Sequence, residues 1–318
     1  MRIAIIDLGT NTFNLLIAEA FSRSEFTVLH SERAVVKLGQ DTINSNLISE
    51  EPFIRGINAL VHFSKKINSY SVSETIAYAT SGIRTANNGN EFIADALRKS
   101  GIKIETITGE REAELIYKGN RLAVPMENEK HLIFDIGGGS NEFVIADSTN
   151  YYYKASFKLG VARLLAKFQP ENPISETKVN DIFNFLDEEL QPLRNEAKKF
   201  KIKSVIGSSG GFESVIDMIA AHFQIEGIQP NKRTYNIELS QYWELSAIVR
   251  SSTLEQRKNM PGLIAMRQDM IVFTFLLIDH VLTRFEIENF KVSTFSLKEG
   301  MLVERLEKIE YDKNFNSR

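Results

Sequence analysis

The 318-residue chain has no cysteine, which excludes disulfides, thiolate metal sites and a cysteine nucleophile, and fits a reduced, cytoplasmic setting. Histidine is sparse: the five present are scattered, with no metal-ligand spacing and no His-Asp dipeptide, so a histidine-based metal phosphohydrolase domain is not expected. Long hydrophobic runs are also missing. The longest, Met270 to Ile278, is bounded by Asp269 and Asp279, well short of the ~20 residues a membrane span needs. The opening MRIAIID has too few apolar residues for a secretory leader. Charge of one sign is lacking as well. The net charge of −3 gives no electrostatic reason to expect nucleic acid as a partner. What remains is an ordinary soluble composition, 43% apolar and 25% charged, on a chain long enough for two domains.

Along the chain, strand-like and helix-like segments alternate. Ile3–Ile6 reads as a buried strand ending on Asp7, followed by FNLLIAEA and FTVLHSERAVVKLG as further strands. Residues 51–70 carry apolar side chains at helical spacing, TIAYAT reads as a strand, and SGIRTANNGN as a loop. Glu91–Lys99 reads as a helix stopped by Gly101, IKIETIT as a strand and GEREAELIYKGNRLAV as a helix. The second half repeats the alternation. It has a helical region over 175–199 broken near Pro192, the strand and small-residue loop KSVIGSSGG, a helix FESVIDMIAAHF and a buried helix from Met270 to Phe285. The strand KVSTFS and the helix LKEGMLVERLEKIE close the chain, with YDKNFNSR expected to fray and the polar stretch 231–258 left unassigned. This pattern indicates α/β architecture.

The sequence also repeats itself. Shifted by 128 positions, IIDLGTNTFNLLIAE lies over IFDIGGGSNEFVIAD without a gap, so that Asp7 falls on Asp135, Gly9 on Gly137 and Asn14 on Glu142. Lys37-Leu38-Gly39 and Lys158-Leu159-Gly160 echo each other further on. The reading is two related halves, each with an Asp-x-Gly loop.

Three glycine-rich loops follow apolar strands: Gly9-Thr10-Asn11, Gly137–Ser140 (with Gly138 and Gly139 between) and Gly207–Gly211, which includes Ser209 and Gly210. Backbone N–H groups in such turns can cradle phosphate oxygens. They are not a nucleotide-type phosphate loop, because GxxxxGK(S/T) is absent. Asp7 and Asp135 each end a strand; they either cap their own turn or supply hard oxygen ligands to Mg²⁺. Glu112 shares the apolar stripe of Leu115, Ile116 and Gly119. It is either a helix-dipole partner or a carboxylate aimed at a reacting water. Arg84 and Arg163 are either solvated or phosphate clamps.

DLGTNTFNLLIA, ATSGIRTANNGNEF, TGEREAELIYKG, FDIGGGSNEFVI, KLGVARL, GSSGG, MPGLIAMRQDMI and VSTFSLKEGML stand in order over nearly the whole chain. Together they resemble the exopolyphosphatase and guanosine pentaphosphate phosphatase family, within the superfamily of actin, sugar kinases and chaperone ATPases. The resemblance implies two ribonuclease-H-like (actin-like ATPase) α/β domains facing a cleft. Residues 1–124 would form the first, with a helix of about 299–318 packing back on it, and residues 125–298 the second. It implies Mg²⁺-assisted hydrolysis of a terminal phosphoanhydride, of inorganic polyphosphate or alternatively of guanosine pentaphosphate. A sugar-kinase-like phosphotransferase or a non-catalytic phosphate sensor are the readings of another class. The family's catalytic glutamate matches Glu112 and its acidic pair Asp135 and Glu142, which with Asp7 are the candidate metal ligands. Candidate phosphate contacts are Gly9, Thr10, Asn11, Ser81, Arg84, Gly137, Gly138, Gly139, Ser140, Ser209 and Gly210. Departures from the family pattern are Asn141 for threonine, Glu114 for arginine and Thr294 for aspartate. The chain resembles the short two-domain form, lacking the histidine-aspartate helical domain of longer members, and a homodimer is implied by resemblance alone. Membrane and nucleic-acid partners are not expected.

Overall fold

The computed structural model describes residues 1–21, 25–39, 45–127 and 129–316. The chain divides into two compact units, Met1–Leu122 with the C-terminal segment from Ser296, and Ala123–Phe295.

The first unit is built on strands β1 (Arg2–Leu8), β2 (Thr12–Ala20), β3 (Phe26–Val35), β4 (Glu74–Ala79) and β5 (Ile104–Thr106), in the spatial order β3-β2-β1-β4-β5. The β1–β2–β3 meander is antiparallel, whereas β4 and β5 join in parallel. Its helices are α1 (Glu50–Ser69), the single turn α2 (Ser81–Arg84), α3 (Gly89–Ser100), α4 (Gly109–Ala123) and, from the chain's end, α12 (Leu297–Asn316). Ala4, Ile6 and Leu8 share a core with Ile57, Leu60 and Phe63 of α1 and Phe92 of α3. Ile3 and Ile5 alternate to the opposite face and are equally buried, so β1 reads as an unbroken apolar run. α12 packs along β1 and β2.

The second unit holds β6 (His131–Ile136), β7 (Asn141–Ala146), β8 (Tyr151–Phe157), β9 (Ser204–Ser208), β10 (Thr234–Ile237) and β11 (Asn289–Ser293), ordered β10-β11-β9-β6-β7-β8. Its helices are α5 (Val161–Phe168), α6 (Glu176–Glu189), α7 (Gln191–Phe200), α8 (Gly210–Phe223), α9 (Leu239–Ser251), α10 (Leu254–Lys258) and α11 (Ile271–Arg284). Leaving out β10, the strand sequence β8-β7-β6-β9-β11 reproduces the order of the first unit, the ribonuclease-H-like arrangement. The repeat extends to irregularities. β2 slips register against β3 between Ile17 and Ala18, and β7 slips against β8 between Ile145 and Ala146, the same places 128 residues apart.

Several local readings change. SGIRTANNGN is not all loop: it forms the turn α2 and the start of α3 at Gly89. Gly101, at φ 72°, ends α3 in the left-handed conformation that a side chain would disfavour. The region 175–199 is two helices, with Pro192 in the first turn of α7, where its missing N–H costs nothing. The unassigned stretch 231–258 contains β10, α9 and α10, the last started by a Thr253–Gln256 capping box. Helix α12 runs to Asn316, so helical backbone reaches into YDKNFNSR, the last two residues of which lie outside the described residues. Among the described residues no helix is long and apolar enough to cross a membrane.

One partly exposed ion network around the buried His280 ties α6, α7 and α11 together. Asp187 accepts from Arg194 at 2.7 Å, from Arg284 at 2.9 Å and pairs with His280 Nε2 at 3.2 Å. Burial pushes the fully enclosed His280 imidazole down to about 4, against the pull of Asp187. A depressed histidine stays neutral in the fold while the unfolded chain takes up a proton, so stability falls as pH drops from about 6.5 towards 4. Urea unfolding is expected to show about 2 kcal/mol less stability at pH 5 than at pH 7 from this group, a slope that His280→Gln should flatten.

Candidate functional site

The candidate residues fall into two sets, one on each unit. In the first unit, Asp7 is the penultimate residue of β1, which ends on Leu8, and the next residues turn back into β2. Gly9 N donates to Thr12 O at 3.0 Å, and a Cβ at Gly9 would lie 2.9 Å from that same oxygen. Asp7 sits directly across from Asn14, whose Nδ2 donates to Asp7 Oδ2 at 2.9 Å. Thr10 O and Asn11 O accept from Gly39, Val36 and Lys37, which fixes the loop from behind. The Ser81 turn is brought beside this loop because Thr80, its preceding residue, donates to Leu8 O. The α2 turn also presents Arg84, whose Nη1 donates to Ile107 O at 2.8 Å and pairs with Glu112 Oε2 at 3.2 Å. Glu112 itself is 7% exposed. Its inward position follows from the helical spacing, and the ion pair holds its carboxylate in a set orientation. The residues around Arg84 thus make it a partner of the glutamate as well as a candidate phosphate contact.

The second unit repeats the turn. Gly137 N donates to Ser140 O at 3.0 Å, and a Cβ at Gly137 would come within 2.5 Å of that oxygen. Three carbonyls in succession are then taken from one side. Val161 N donates to Gly137 O, Ala162 N to Gly138 O, and Arg163 Nε to Gly139 O at 2.7 Å. Peptide units are planar, with N–H and C=O pointing oppositely, so turning these carbonyls towards α5 aims loop amides the other way. Arg163, open to two readings from sequence, acts on the loop from behind. It adds positive charge beneath it.

Asp135 and Glu142 are direct cross-strand partners on β6 and β7, the counterparts of Asp7 and Asn14. Both are buried, at 6% and 1% exposure. Ser208 Oγ donates to Asp135 Oδ2 at 2.7 Å and Ser156 Oγ to Glu142 Oε1 at 2.7 Å. The sequence did not single out these serines. Each is the cross-strand neighbour of its carboxylate, Ser208 on parallel β9 and Ser156 on β8 beyond the register slip, and such pairings are invisible without the sheet. In the third loop, Ser209 adopts φ 79°, ψ 175°, a region almost reserved for glycine. Its Oγ donates to Ile136 O at 2.9 Å, which ties the start of α8, with Gly210, to the end of β6. Arg267 donates to Ser214 Oγ at 2.7 Å and lies 3.5 Å from Glu213.

Among the described residues no three histidine, aspartate or glutamate side chains are grouped to hold a metal ion. The donor chemistry that is present, two adjacent buried carboxylates beside an amide-lined turn, suits Mg²⁺, which is commonly held by one or two carboxylates and completed by phosphate oxygens and water.

The chain matches the Ppx/GppA phosphatase family over residues 16–309. A crystal structure of an exopolyphosphatase from Cytophaga hutchinsonii superimposes with a TM-score of 0.94 at 35% identity, covering 97% of this chain and 98% of that one. Exopolyphosphatase 1 of Mycobacterium tuberculosis is 26% identical over 308 residues, 96% of this chain and 89% of that protein. A guanosine-5'-triphosphate,3'-diphosphate pyrophosphatase from Photobacterium profundum is 25% identical over 310 residues, 97% of this chain and 60% of that protein.

Proposed function

Because the chain belongs to the Ppx/GppA phosphatase family, we propose that it is an exopolyphosphatase. It hydrolyses the terminal phosphoanhydride of inorganic polyphosphate and releases orthophosphate. The observation that carries this reading is the Gly137–Ser140 turn, whose first three carbonyls, those of Gly137, Gly138 and Gly139, are all engaged by α5. Amides aimed at one point favour an anion with several oxygens, and a terminal phosphoryl group supplies them.

In this reading the amides of Gly138, Gly139 and Ser140 hold the terminal phosphoryl oxygens, and Arg163 reinforces the loop's positive field. The first unit offers Thr10, Asn11, Ser81 and Arg84, with Gly9 setting the turn, as candidate phosphate contacts, and the second offers Ser209 and Gly210. Glu112, kept in one orientation by Arg84, positions a water for in-line attack and accepts its proton. Phosphoryl transfer demands mainly positioning and charge stabilisation, and these groups supply both. Asp135 and Glu142, with Asp7 as the counterpart in the first unit, would hold Mg²⁺, which when bound neutralises charge on phosphate oxygens. Ser208 and Ser156 orient the two carboxylates. The same reading puts the enzyme in the cytoplasm, where a cysteine-free chain and a phosphate polymer are both at home.

The pyrophosphatase-named relative supports guanosine pentaphosphate as the second substrate to test. Orthophosphate release measured in parallel on polyphosphate, guanosine pentaphosphate and ATP with Mg²⁺ separates them. Polyphosphate is expected to give the highest kcat/KM. A higher value on guanosine pentaphosphate would transfer the assignment to that substrate, and ATP turnover that required an acceptor alcohol would indicate a phosphotransferase.

A further inference from the structure

Glu112 lies in the first turn of α4, and α4 is itself held by another element of the same unit. A Cβ added at Gly119 would fall on Ser296 O, and one added at Gly300 would fall on Leu115 O, both far inside van der Waals contact. The backbones of α4 and α12 therefore touch at this crossing, with no side chain between them. Gly119 is seven residues after Glu112, two helical turns, so both lie on one face of α4. At the other end of the contact, Glu304 of α12 pairs with Arg111, the residue next to Glu112, and with Lys118 at 3.2 Å. Glu304 is 7% exposed, so these pairs are screened little by solvent.

We propose that α12 is a positioning element for catalysis: the Gly119–Gly300 seat and the Glu304 hub set where α4 places the Glu112 carboxylate. The proposal rests on the reading of Glu112 given above. A helix seated on backbone has no side chain that can yield. A single added methyl must move α4 and α12 apart and carry Glu112 with it. Displacements of about an ångström at a reacting group cost up to about a hundredfold in rate.

The test is a double-mutant cycle. Gly300→Ala is expected to lower kcat on polyphosphate about ten- to a hundredfold with KM within about twofold, because the phosphate contacts are untouched. In a Glu112→Gln background the same substitution is expected to produce no further loss, since the group it displaces is already gone. Glu304→Gln gives a second cycle that needs no backbone movement to fold, with a smaller kcat loss that also vanishes beside Glu112→Gln. Losses that multiply in both cycles, or a rise in KM with kcat unchanged, would overturn the positioning role while leaving Glu112 as the base. Full activity of Glu112→Gln alone would instead overturn the reading of Glu112, and the proposal with it.

Discussion

Replacing Glu112 by glutamine is expected to lower phosphate release from polyphosphate about a thousandfold while leaving the affinity for polyphosphate within about twofold. The size follows from the role. A positioned general base contributes roughly 10²- to 10⁴-fold, and glutamine keeps the shape and the contact with Arg84 but cannot accept a proton. Affinity is expected to stay because the substitution leaves the Gly137–Ser140 turn, proposed to hold the phosphoryl oxygens, and the engagement of its carbonyls unchanged. The check is a steady-state kcat with a separate binding titration of the variant. A loss confined to affinity would make Glu112 a ligand-binding residue, and no loss would remove it from the chemistry.

The second large effect concerns Asp135. Asp135→Asn is nearly isosteric and can still meet Ser208, but it removes one of two adjacent buried carboxylates. Activity at saturating polyphosphate is expected to fall about a hundredfold, and the Mg²⁺ concentration needed for half-maximal rate to rise at least tenfold. Chelation of divalent ions should abolish turnover of the unaltered protein, and Mg²⁺ should restore it. The informative measurement is a Mg²⁺ titration of the rate for both proteins side by side. An Asp135→Asn variant with an unchanged Mg²⁺ requirement would leave Asp135 as a turn-capping group only, the other reading that its position after a buried strand allows.

The doubled architecture was legible because the repeat is written in residues whose chemistry is constrained. Asp7 and Asp135 each stand one residue before the end of a strand, Gly9 and Gly137 each face a carbonyl that leaves no space for a side chain, and the shared offset of 128 lands on both register slips. Glu112 was legible through spacing, since a carboxylate on an apolar helix face needs a reason to be there. The partners of these groups were not. Arg84 and Glu112 are 28 residues apart, and their pairing depends on how a single turn of helix leaves β4. Ser208 and Ser156 carry no distinguishing signal in the chain, because strand register decides what a small hydroxyl meets. The polar stretch around α9 hid its helix because only Tyr242, Leu245, Ser246 and Val249 point inwards, too short a stripe to stand out. Thr253 and Gln256, three residues apart, were the available sign of a helix start nearby.

The role of the chain's end was equally hidden. LKEGMLVERLEKIE reads as a generic amphipathic helix, and nothing in its pattern names α4 as the neighbour. Gly300 and Gly119 acquire meaning only when their backbones are seen to touch.

The most direct test of the central claim is hydrolysis of a long polyphosphate in ¹⁸O-labelled water, following chain length and label together. The account predicts that orthophosphate appears from the first time points with one ¹⁸O per molecule released. The remaining polymer should stay unlabelled and shorten only from its ends. Early accumulation of mid-length fragments, or label retained in the polymer instead of the released orthophosphate, would contradict water attack on a terminal phosphoryl group.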